Sequence, residues 1–431
     1  MLSAFANAFR TPDLRRKLLF VLLIIAVFRL GSQVPAPGVH VANVQSCLDR
    51  QAEGGLYSLI NMFSGGALLS LTIFALGIMP YITASIILQL LVVVIPRLEA
   101  LKKEGQAGQT KITQYTRYLT LGLALLQATG IVALARSGNL LQNCPEPLLH
   151  SNGTGTFLIL VTTMTAGTAV IMWLGELITE HGIGNGMSLL IFTQVVATFP
   201  AQLWQVRITQ GWWIFGIVMV IGLVIIAAVI FIEQAQRRIP VQYARRMVGR
   251  KMFGGSSTYI PLKVNQAGII PVIFASSLMY LPALAVQFNQ TSQSPVIRFI
   301  NDYLVQGDHP LYMATFFLLI VFFTYFYVSI TFNPEEVADN MKKYGGFIPG
   351  IRAGKPTQDY LAYVLSRITF PGALYLGLIS LIPLIALVLI GADQNFPFGG
   401  TSILIMVGVA LDTVKQIESQ LQQRNYEGFL R

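Results

Sequence analysis

The chain alternates long apolar stretches with shorter polar ones over most of its 431 residues. Ten of these stretches approach the about 20 residues that an α-helix needs to cross the hydrocarbon core of a membrane. Their approximate positions are 18–34, 75–95, 118–135, 157–175, 187–204, 212–232, 267–286, 311–332, 368–390 and 400–414. The pattern predicts an all-α membrane protein with ten transmembrane helices, of which the last is short.

The segment 61–89 is apolar enough to enter a membrane but is interrupted twice. Gly65 and Gly66 open a first short piece, and Gly77 and Pro80 break the run before a second piece continues. Non-helical backbone at membrane depth is tolerated only where protein or a water-filled cavity satisfies its polar groups. We therefore expect this segment to line an internal space, with the first piece acting as a stopper.

Composition and charge agree with a membrane protein. The chain is 54% hydrophobic and 11% charged, with a mean hydropathy of +0.63, which a soluble core cannot absorb. Alternate loops hold 24 of the 29 Lys and Arg, whereas the other loops contain only Arg50, Arg136, Arg207 and Arg298. Since basic loops stay on the cytoplasmic side, both termini are predicted to be cytoplasmic. Anionic lipid or an acidic partner would both suit that basic face.

The ten spans divide at about residue 206 into two halves of five, 1–205 and 206–431. An odd number of spans in each half gives the halves opposite orientations, as in proteins with a central path between inverted repeats. We find no repeat at the level of residues. The inverted arrangement therefore rests on the number of spans alone.

Chemically active side chains are scarce in the spans. Only Arg29 and Glu176 are ionisable and clearly within or at the edge of a span, whereas ion-coupled transporters usually carry Asp, Glu or His there. The histidines lack a metal-binding spacing, and the glycine-rich strings 182–186 and 350–357 depart from nucleotide-binding motifs. We predict no metal, no cofactor and no enzymatic activity. A solute transporter with inverted repeats remains the main alternative, and an intramembrane enzyme lacks a nucleophile and base.

The two cysteines, Cys47 and Cys144, both fall in predicted outer loops. A disulfide is chemically allowed there, but two thiols in different loops more often stay unpaired. We therefore predict that they do not form a bridge.

Six strings occur in an order that resembles the SecY family, the large subunit of the bacterial protein-conducting channel. They are FSGGALLSLTIFALGIMPYI, ITEHGIGNGMSLLIF, QRRIPVQYARRMVGRKMFGG, YIPLKVNQAGIIPVIFASS, YGGFIPGIRAGKPT and FGGTSILI. The resemblance extends from about Leu14 to the C-terminus. It implies a two-halved bundle of ten helices around an hourglass pore, closed from outside by a plug and opening sideways between helices two and seven. Such a channel passes unfolded secretory polypeptides and releases transmembrane segments into the membrane.

The resemblance implies roles for three groups of residues. The hydrophobic pore ring would be formed by Ile78, Ile82, Met187, Ile191, Ile273 and Ile405. The plug would span about 56–71, with Asn61, Phe63, Gly65 and Gly66 at its core. The lateral gate would include Thr83, Gln127 and Asn265.

Local chemistry fits these implied roles. Ile78 and Ile82 share a helix face, as do Met187 and Ile191, and an aliphatic constriction denies ions a hydrated path because it dewets. Met is more pliable than the usual Ile, so we expect a looser seal at position 187. For each ring residue taken alone, ordinary helix packing is the simpler alternative. For the gate residues, the alternative is a hydrogen bond back to their own helix.

Two long inner loops, 233–266 and 333–367, are the expected partner surfaces. The first loop contains a run of basic residues with Tyr243 and Phe253 among them, a composition suited to the phosphates of ribosomal RNA. Arg352 stands at a Gly/Pro-built tip of the second loop. In the SecY family these loops receive the ribosome or the SecA ATPase. The basic residues concerned are Arg237, Arg238, Arg245, Arg246, Arg250, Lys251, Arg352 and Lys355.

The chain has no nucleotide loop and no proton relay, so we expect partners to supply the energy for transport. The resemblance implies SecE and SecG as stable subunits, SecA or a ribosome on the inner face, and looser association with SecDF and YidC. Signal peptides and nascent or unfolded polypeptides would be the substrates, and membrane lipid the surroundings. Which driving partner dominates, and whether two copies associate, stays open.

Overall fold

The computed structural model describes residues 11–50, 67–68, 70–137, 147–151, 153–243, 246–248, 251–253, 257–288, 295–305, 309–390 and 400–427. Thirteen α-helices are present within these residues. They are α1 (Pro12–Gly31), α2 (Val41–Arg50), α3 (Met79–Val94), α4 (Pro96–Lys103), α5 (Gln106–Ser137), α6 (Thr154–His181), α7 (Gly186–Gln234), α8 (Ile270–Phe288), α9 (Pro295–Ile300), α10 (Pro310–Thr331), α11 (Pro334–Lys343), α12 (Lys355–Ile390) and α13 (Gly400–Glu427). A short π-helix, Asn301–Val305, follows α9.

Each of the ten predicted apolar stretches overlaps one of these helices. Six helical segments among the described residues are long and apolar enough to cross a membrane, and the bent pair α3–α4 would add a seventh. The six are Gln106–Arg136, Thr154–His181, Gly186–Ile208, Gly211–Gln234, Pro310–Lys343 and Lys355–Ile382. The structure therefore supports a helical multi-pass membrane protein, and the count of ten stays a prediction.

Two predicted spans are joined in the single long helix α7, which breaks at Gly211. Gly211 has a φ of 82°, a left-handed conformation that glycine adopts without steric cost. Beside the break, the guanidinium carbon of Arg207 lies 4.2 Å from the ring centre of Trp204 and 4.3 Å from that of Trp212. The outer connection predicted between these spans is thus a sharp break flanked by aromatic rings.

The expectation of a purely helical protein is wrong for the inner loops. Strands β1 (Gln236–Tyr243), β4 (Ser257–Lys263) and β5 (Gly346–Phe347) form a three-stranded antiparallel sheet in the order β4-β1-β5. A separate hairpin pairs β2 (Arg246–Val248) with β3 (Lys251–Phe253). Since β5 comes from the second inner loop, the two predicted partner surfaces are one structural unit.

Alternation of apolar and polar residues explains why β1 is a strand. Ile239 and Val241 are buried, whereas Arg238, Pro240 and Gln242 between and beside them are exposed, which is the period-two pattern of a half-buried strand. The buried face packs on a small core of its own. Its buried members are Ile239, Val241, Leu262, Met341, Ile348, Leu361 and Val364.

Segments of the predicted outer loops are tied together by backbone pairing. Isolated bridges join Pro35 to Thr72 and Val39 to Leu149, and the Asn43 side-chain amide donates to the Pro147 carbonyl at 2.9 Å. This pairing holds the start of α2 beside the loop that follows α5.

The prediction of unpaired cysteines is wrong for Cys47, which is disulfide-bonded. The other cysteine of the chain, Cys144, lies outside the described residues. The prediction failed because it treated the two loops as independent. Pairing between the predicted outer loops brings together segments that are far apart in sequence, so a disulfide between loops becomes possible.

Three large clusters of buried apolar side chains form the core of the helical part. The first cluster draws on residues up to Met164, and the third only on residues from Val218 onwards. The second, which we call the central cluster, combines α1, the start of α3, α6 and the start of α7 with Ile405 and Val409 of α13. The central cluster is thus shared between the N-terminal and C-terminal parts of the chain.

Candidate functional site

Four of the six residues assigned to the pore ring lie in the central cluster. Ile78, Met187, Ile191 and Ile405 are 1%, 9%, 5% and 1% exposed, and the half-buried side chain of Ile82 packs against the cluster. Ile273, on α8, is also buried but is not a member of the central cluster. The structure therefore brings five of the six side chains to one apolar region.

The start of α7 is held in place by local hydrogen bonds. The side-chain oxygen of Asn185 accepts from the backbone N–H groups of Met187 and Ser188, at 3.0 and 3.5 Å, and so caps the helix. The Thr179 hydroxyl accepts from Gly186 N–H and donates to the Gly175 carbonyl, both at 2.9 Å. The glycine-rich string 182–186 is accordingly a tight reversal between α6 and α7, and it fixes where Met187 begins the helix face.

Small residues allow α6 and α7 to approach closely at this point. A Cβ atom at Gly175 would meet the Met187 sulfur at 2.5 Å, and a Cβ atom at Gly186 would overlap the carbonyl of Gly175. Gly186 thus allows the two helices to approach, and Gly175 leaves the space that Met187 occupies within the central cluster.

The predicted plug falls mostly outside the described residues, as do Asn61, Phe63, Gly65 and Gly66. Of the range 56–71, only residues 67, 68, 70 and 71 are described. Leu68 and Leu71 are buried in the first cluster, and the Leu71 carbonyl accepts from Ala36 N–H at 3.0 Å. The end of the predicted plug is therefore attached to the outer loop after α1.

The three assigned gate residues are not hydrogen-bonded to one another. The Thr83 hydroxyl donates to the Met79 carbonyl of its own helix at 3.0 Å, which is the simpler alternative for such a residue. Gln127 is half-buried on α5. Asn265, only 3% exposed, donates from its amide nitrogen to the Gly268 carbonyl at 3.2 Å.

Glu233 is a partner of the gate residue Asn265 that the sequence interpretation missed. The Asn265 amide also donates to a Glu233 carboxylate oxygen at 2.6 Å, whereas the Asn265 side-chain oxygen has no hydrogen-bond partner within the protein. Glu233 directly follows the apolar stretch 212–232. Its position next to a span end was a usable signal, but nothing in the sequence pairs it with Asn265.

Glu176, the carboxylate expected at a span edge, is paired rather than free. Its two oxygens accept from Arg117 Nε and Nη2, each at 2.8 Å, in a bidentate ion pair that joins α5 to α6. Within the described part of the chain, no three His, Cys, Asp or Glu side chains are grouped to hold a metal ion. The pair has the geometry of a structural link between helices.

Basic side chains of β1 are exposed on the sheet that the two predicted inner loops form. Arg237 and Arg238 are exposed, and the Arg238 guanidinium lies 4.8 Å from the ring centre of Tyr259 on the adjacent strand β4. For Arg246 and Lys251 the structure describes only the backbone, in the β2–β3 hairpin. Arg245 and Arg250 lie outside the described residues.

The tip of the second inner loop is built by glycines in a conformation that other residues rarely adopt. Gly350 and Gly354 have φ values of 83° and 104°, and the exposed Arg352 lies between them. The Thr357 hydroxyl donates to the Arg352 carbonyl at 2.8 Å, which anchors the tip to the start of α12, where Lys355 is also exposed. Arg352 is thus presented on a short, anchored turn beside the inner sheet.

Comparisons with known proteins agree on one family. The SecY family model matches residues 72–414. The protein translocase subunit SecY of Streptomyces griseus is 67% identical over 438 residues, and that of Mycobacterium tuberculosis 60% identical over 442 residues, each with full coverage of both chains.

Solved structures share the fold at low sequence identity. A protein-conducting channel has a TM-score of 0.63 at 18% identity and covers 93% of this chain and 91% of its own. Sec61 in a canine ribosome–channel complex from the endoplasmic reticulum has a TM-score of 0.59 at 17% identity, with 94% and 91% covered.

Proposed function

Because the chain belongs to the SecY family, we propose that it is the pore-forming subunit of a protein-conducting channel in the cytoplasmic membrane. It passes unfolded secretory polypeptides across the membrane and releases transmembrane segments sideways into lipid. The observation that carries this proposal is the central cluster, in which Ile78, Met187 and Ile191 meet Ile405 from the other part of the chain. An apolar contact between two halves is what a closable path between them requires.

The ring closes the path by excluding water. Its aliphatic side chains offer no hydrogen bond to a hydrated ion, and a constriction lined in this way dewets. An extended polypeptide can push these side chains apart, because aliphatic contacts are non-directional and Met187 in particular is flexible. The plug, centred on Asn61, Phe63, Gly65 and Gly66, closes the path from outside until a substrate displaces it.

The lateral gate opens between α3 and α8, which lie in contact. Thr83 satisfies its hydroxyl on its own helix, and Asn265 bonds to Glu233 and Gly268, so no hydrogen bond between the gate residues opposes separation. Interhelical polar contacts in membranes average only about 0.6 kcal/mol in any case. An apolar signal segment can therefore part α3 and α8 and reach lipid between them.

Partners supply the energy and dock on the inner sheet. The exposed basic residues of β1 and of the Arg352 tip lie on one unit, since β1 pairs with β5. A positively charged surface of this kind suits the phosphates of ribosomal RNA or an acidic face of the SecA ATPase. SecE and SecG complete the channel within the membrane, and SecDF and YidC associate more loosely.

Transport of a signal-bearing precursor into proteoliposomes tests the function directly. Vesicles contain this chain with SecE and SecG, and SecA and ATP are added or omitted. We expect the precursor to become protected from external protease only when SecA, ATP and an intact signal are all present. Lack of protection in vesicles with correctly inserted protein and active SecA, and also with ribosome-bound nascent chains, would contradict the proposal.

A further inference from the structure

Gln194 is a fully buried polar side chain whose hydrogen-bonding capacity is not used. It is 0% exposed, and neither its amide oxygen nor its amide nitrogen has a partner among the residues that the structure describes. By contrast, the buried hydroxyls of Thr168, Thr324 and Ser380 on other helices each donate to the carbonyl one turn earlier. Among the described residues, Gln194 alone leaves two side-chain polar atoms buried and unsatisfied.

Gln194 lies on the face of α7 that carries two ring residues. Met187 and Gln194 are seven positions apart, so their side chains differ in direction by only about 20° around the helix axis. Ile191 lies between them, about 4.5 Å before Gln194 along the helix at 1.5 Å per residue. The unsatisfied amide therefore follows the apolar ring along the same side of α7.

Burial of both amide atoms without hydrogen-bond partners raises the free energy of this conformation of the protein. The side chain has given up its hydrogen bonds to water and has gained none from the protein. A state in which Gln194 has both a donor and an acceptor within reach is therefore lower in free energy than one in which it has neither. No such partner for Gln194 is present among the described residues.

The main chain of an extended polypeptide provides both partners. Each residue other than proline carries one N–H donor and one C=O acceptor, and these are unpaired in a chain that has no helix or sheet of its own. A primary amide can accept from the N–H and donate to the C=O at once. Because every sequence carries the same main-chain groups, such a contact does not depend on the sequence of the substrate.

We propose that Gln194 binds the main chain of the polypeptide in transit, through hydrogen bonds from its amide group. Ring residues give the passing chain only apolar contact, and Gln194 adds the directional contact immediately after them. The inference rests on the proposed function, since it requires the polypeptide to pass along the face of Met187 and Ile191.

Photo-crosslinking to an arrested precursor separates this inference from the proposed function. A crosslinking amino acid is placed at position 194, at position 191 on the ring, and at position 196, where an exposed Val lies about 160° around the helix axis from Gln194. We expect adducts from 191 and 194 but not from 196. Adducts from 191 without any from 194 would overturn the inference and leave the proposed function intact. Failure at both positions would count against the path itself.

A substitution without hydrogen-bonding capacity tests the nature of the contact. Gln194→Met keeps the length of the side chain, and we expect precursor transport to slow about threefold to tenfold, as for the loss of one or two hydrogen bonds. The slowing should be smaller for a precursor rich in proline, which lacks the main-chain N–H. Val196→Met, at an exposed position of the same helix, is the matched control and should transport at the original rate.

The thermal stability of the Gln194→Met variant distinguishes a role of Gln194 in substrate binding from a role in packing. Since Gln194→Met removes two unsatisfied buried atoms, the purified variant should unfold at an equal or higher temperature than the original protein. Slower transport together with lower stability would indicate a packing role and overturn the inference. Unchanged transport of both precursors would overturn it as well.

Discussion

At the scale of single residues, the absence of a Cβ atom at Gly175 leaves space for the Met187 side chain. Gly175→Ala would bring a Cβ atom within 2.5 Å of the Met187 sulfur and 2.9 Å of its methyl carbon. Because Met is flexible, we expect it to move at a cost near the lower end of the about 1–3 kcal/mol typical of overpacking. Displacement of a ring residue should raise the resting ion leak of vesicles, measured by dye release or conductance.

Gly122→Ala is the control for that substitution, since a Cβ atom at Gly122 on α5 meets nothing within 4 Å. It should leave the ion leak unchanged and stabilise the helix by up to about 1 kcal/mol. An equal leak in both variants, or none in Gly175→Ala, would contradict the role assigned to Met187.

The ion pair of Arg117 and Glu176 gives a second prediction at this scale. Glu176→Gln removes a bidentate, partly buried pair, and we expect it to lower the free energy of unfolding by about 1–3 kcal/mol. The exposed pair of Glu99 and Lys103 on α4 is the control, and Glu99→Gln should have no measurable effect. Thermal unfolding in detergent compares the two variants. If Glu176→Gln were as stable as Glu99→Gln, the pair would not link α5 to α6 energetically.

Sequence reasoning identified single residues better than it identified their partners. Glu176 stands out as a carboxylate at a span edge, but nothing in the sequence connects it to Arg117, which lies 59 positions earlier. Glu233 was left outside its span, and its bond to Asn265 joins residues 32 positions apart. Such pairs arise from tertiary packing, and a single sequence carries no signal of them.

At the scale of elements, the apolar stretches predicted helices well and the inner strands not at all. A helix crossing a membrane needs a long apolar run, which any window along the sequence reveals. β1 buries only Ile239 and Val241 between polar residues, so its signal is short and is overlaid by arginines. β5 has two residues and is a strand only because it pairs with Gln242 and Tyr243 of the other inner loop.

The joined inner loops give the third prediction. Arg352→Glu reverses a charge on an exposed, anchored turn, so the protein should insert and fold normally. Driven transport should fall about tenfold or more, because a like charge opposes docking of an acidic partner. Protease protection of a precursor with SecA and ATP measures it. Arg298→Glu, an exposed arginine after α8 on the predicted outer side, is the control and should transport normally. Normal transport by Arg352→Glu would contradict the docking role.

At the scale of the whole molecule, the apolar pattern predicted a bundle of membrane helices. It did not predict how those helices are arranged. Helix periodicity assigns Ile78 and Ile82, or Met187 and Ile191, to common faces, but it does not bring α3, α7 and α13 together. That expectation came from resemblance to a family, and the inverted relation of the halves stays a prediction. The central cluster matters because apolar residues from the N-terminal and C-terminal parts of the chain meet in it.

Substitution of two isoleucines of α13 tests whether the central cluster is a constriction or ordinary packing. Ile405 is 1% exposed and belongs to the central cluster, whereas Ile403 is 0% exposed and belongs to the cluster built only from the C-terminal part. Replacing either by Ala should lower the free energy of unfolding by about 2–5 kcal/mol, since both leave a cavity. Only Ile405→Ala should raise the resting ion leak, because only that cavity opens at the contact between the halves. Equal leaks from both variants would mean that the central cluster is packing alone, and that the seal lies elsewhere.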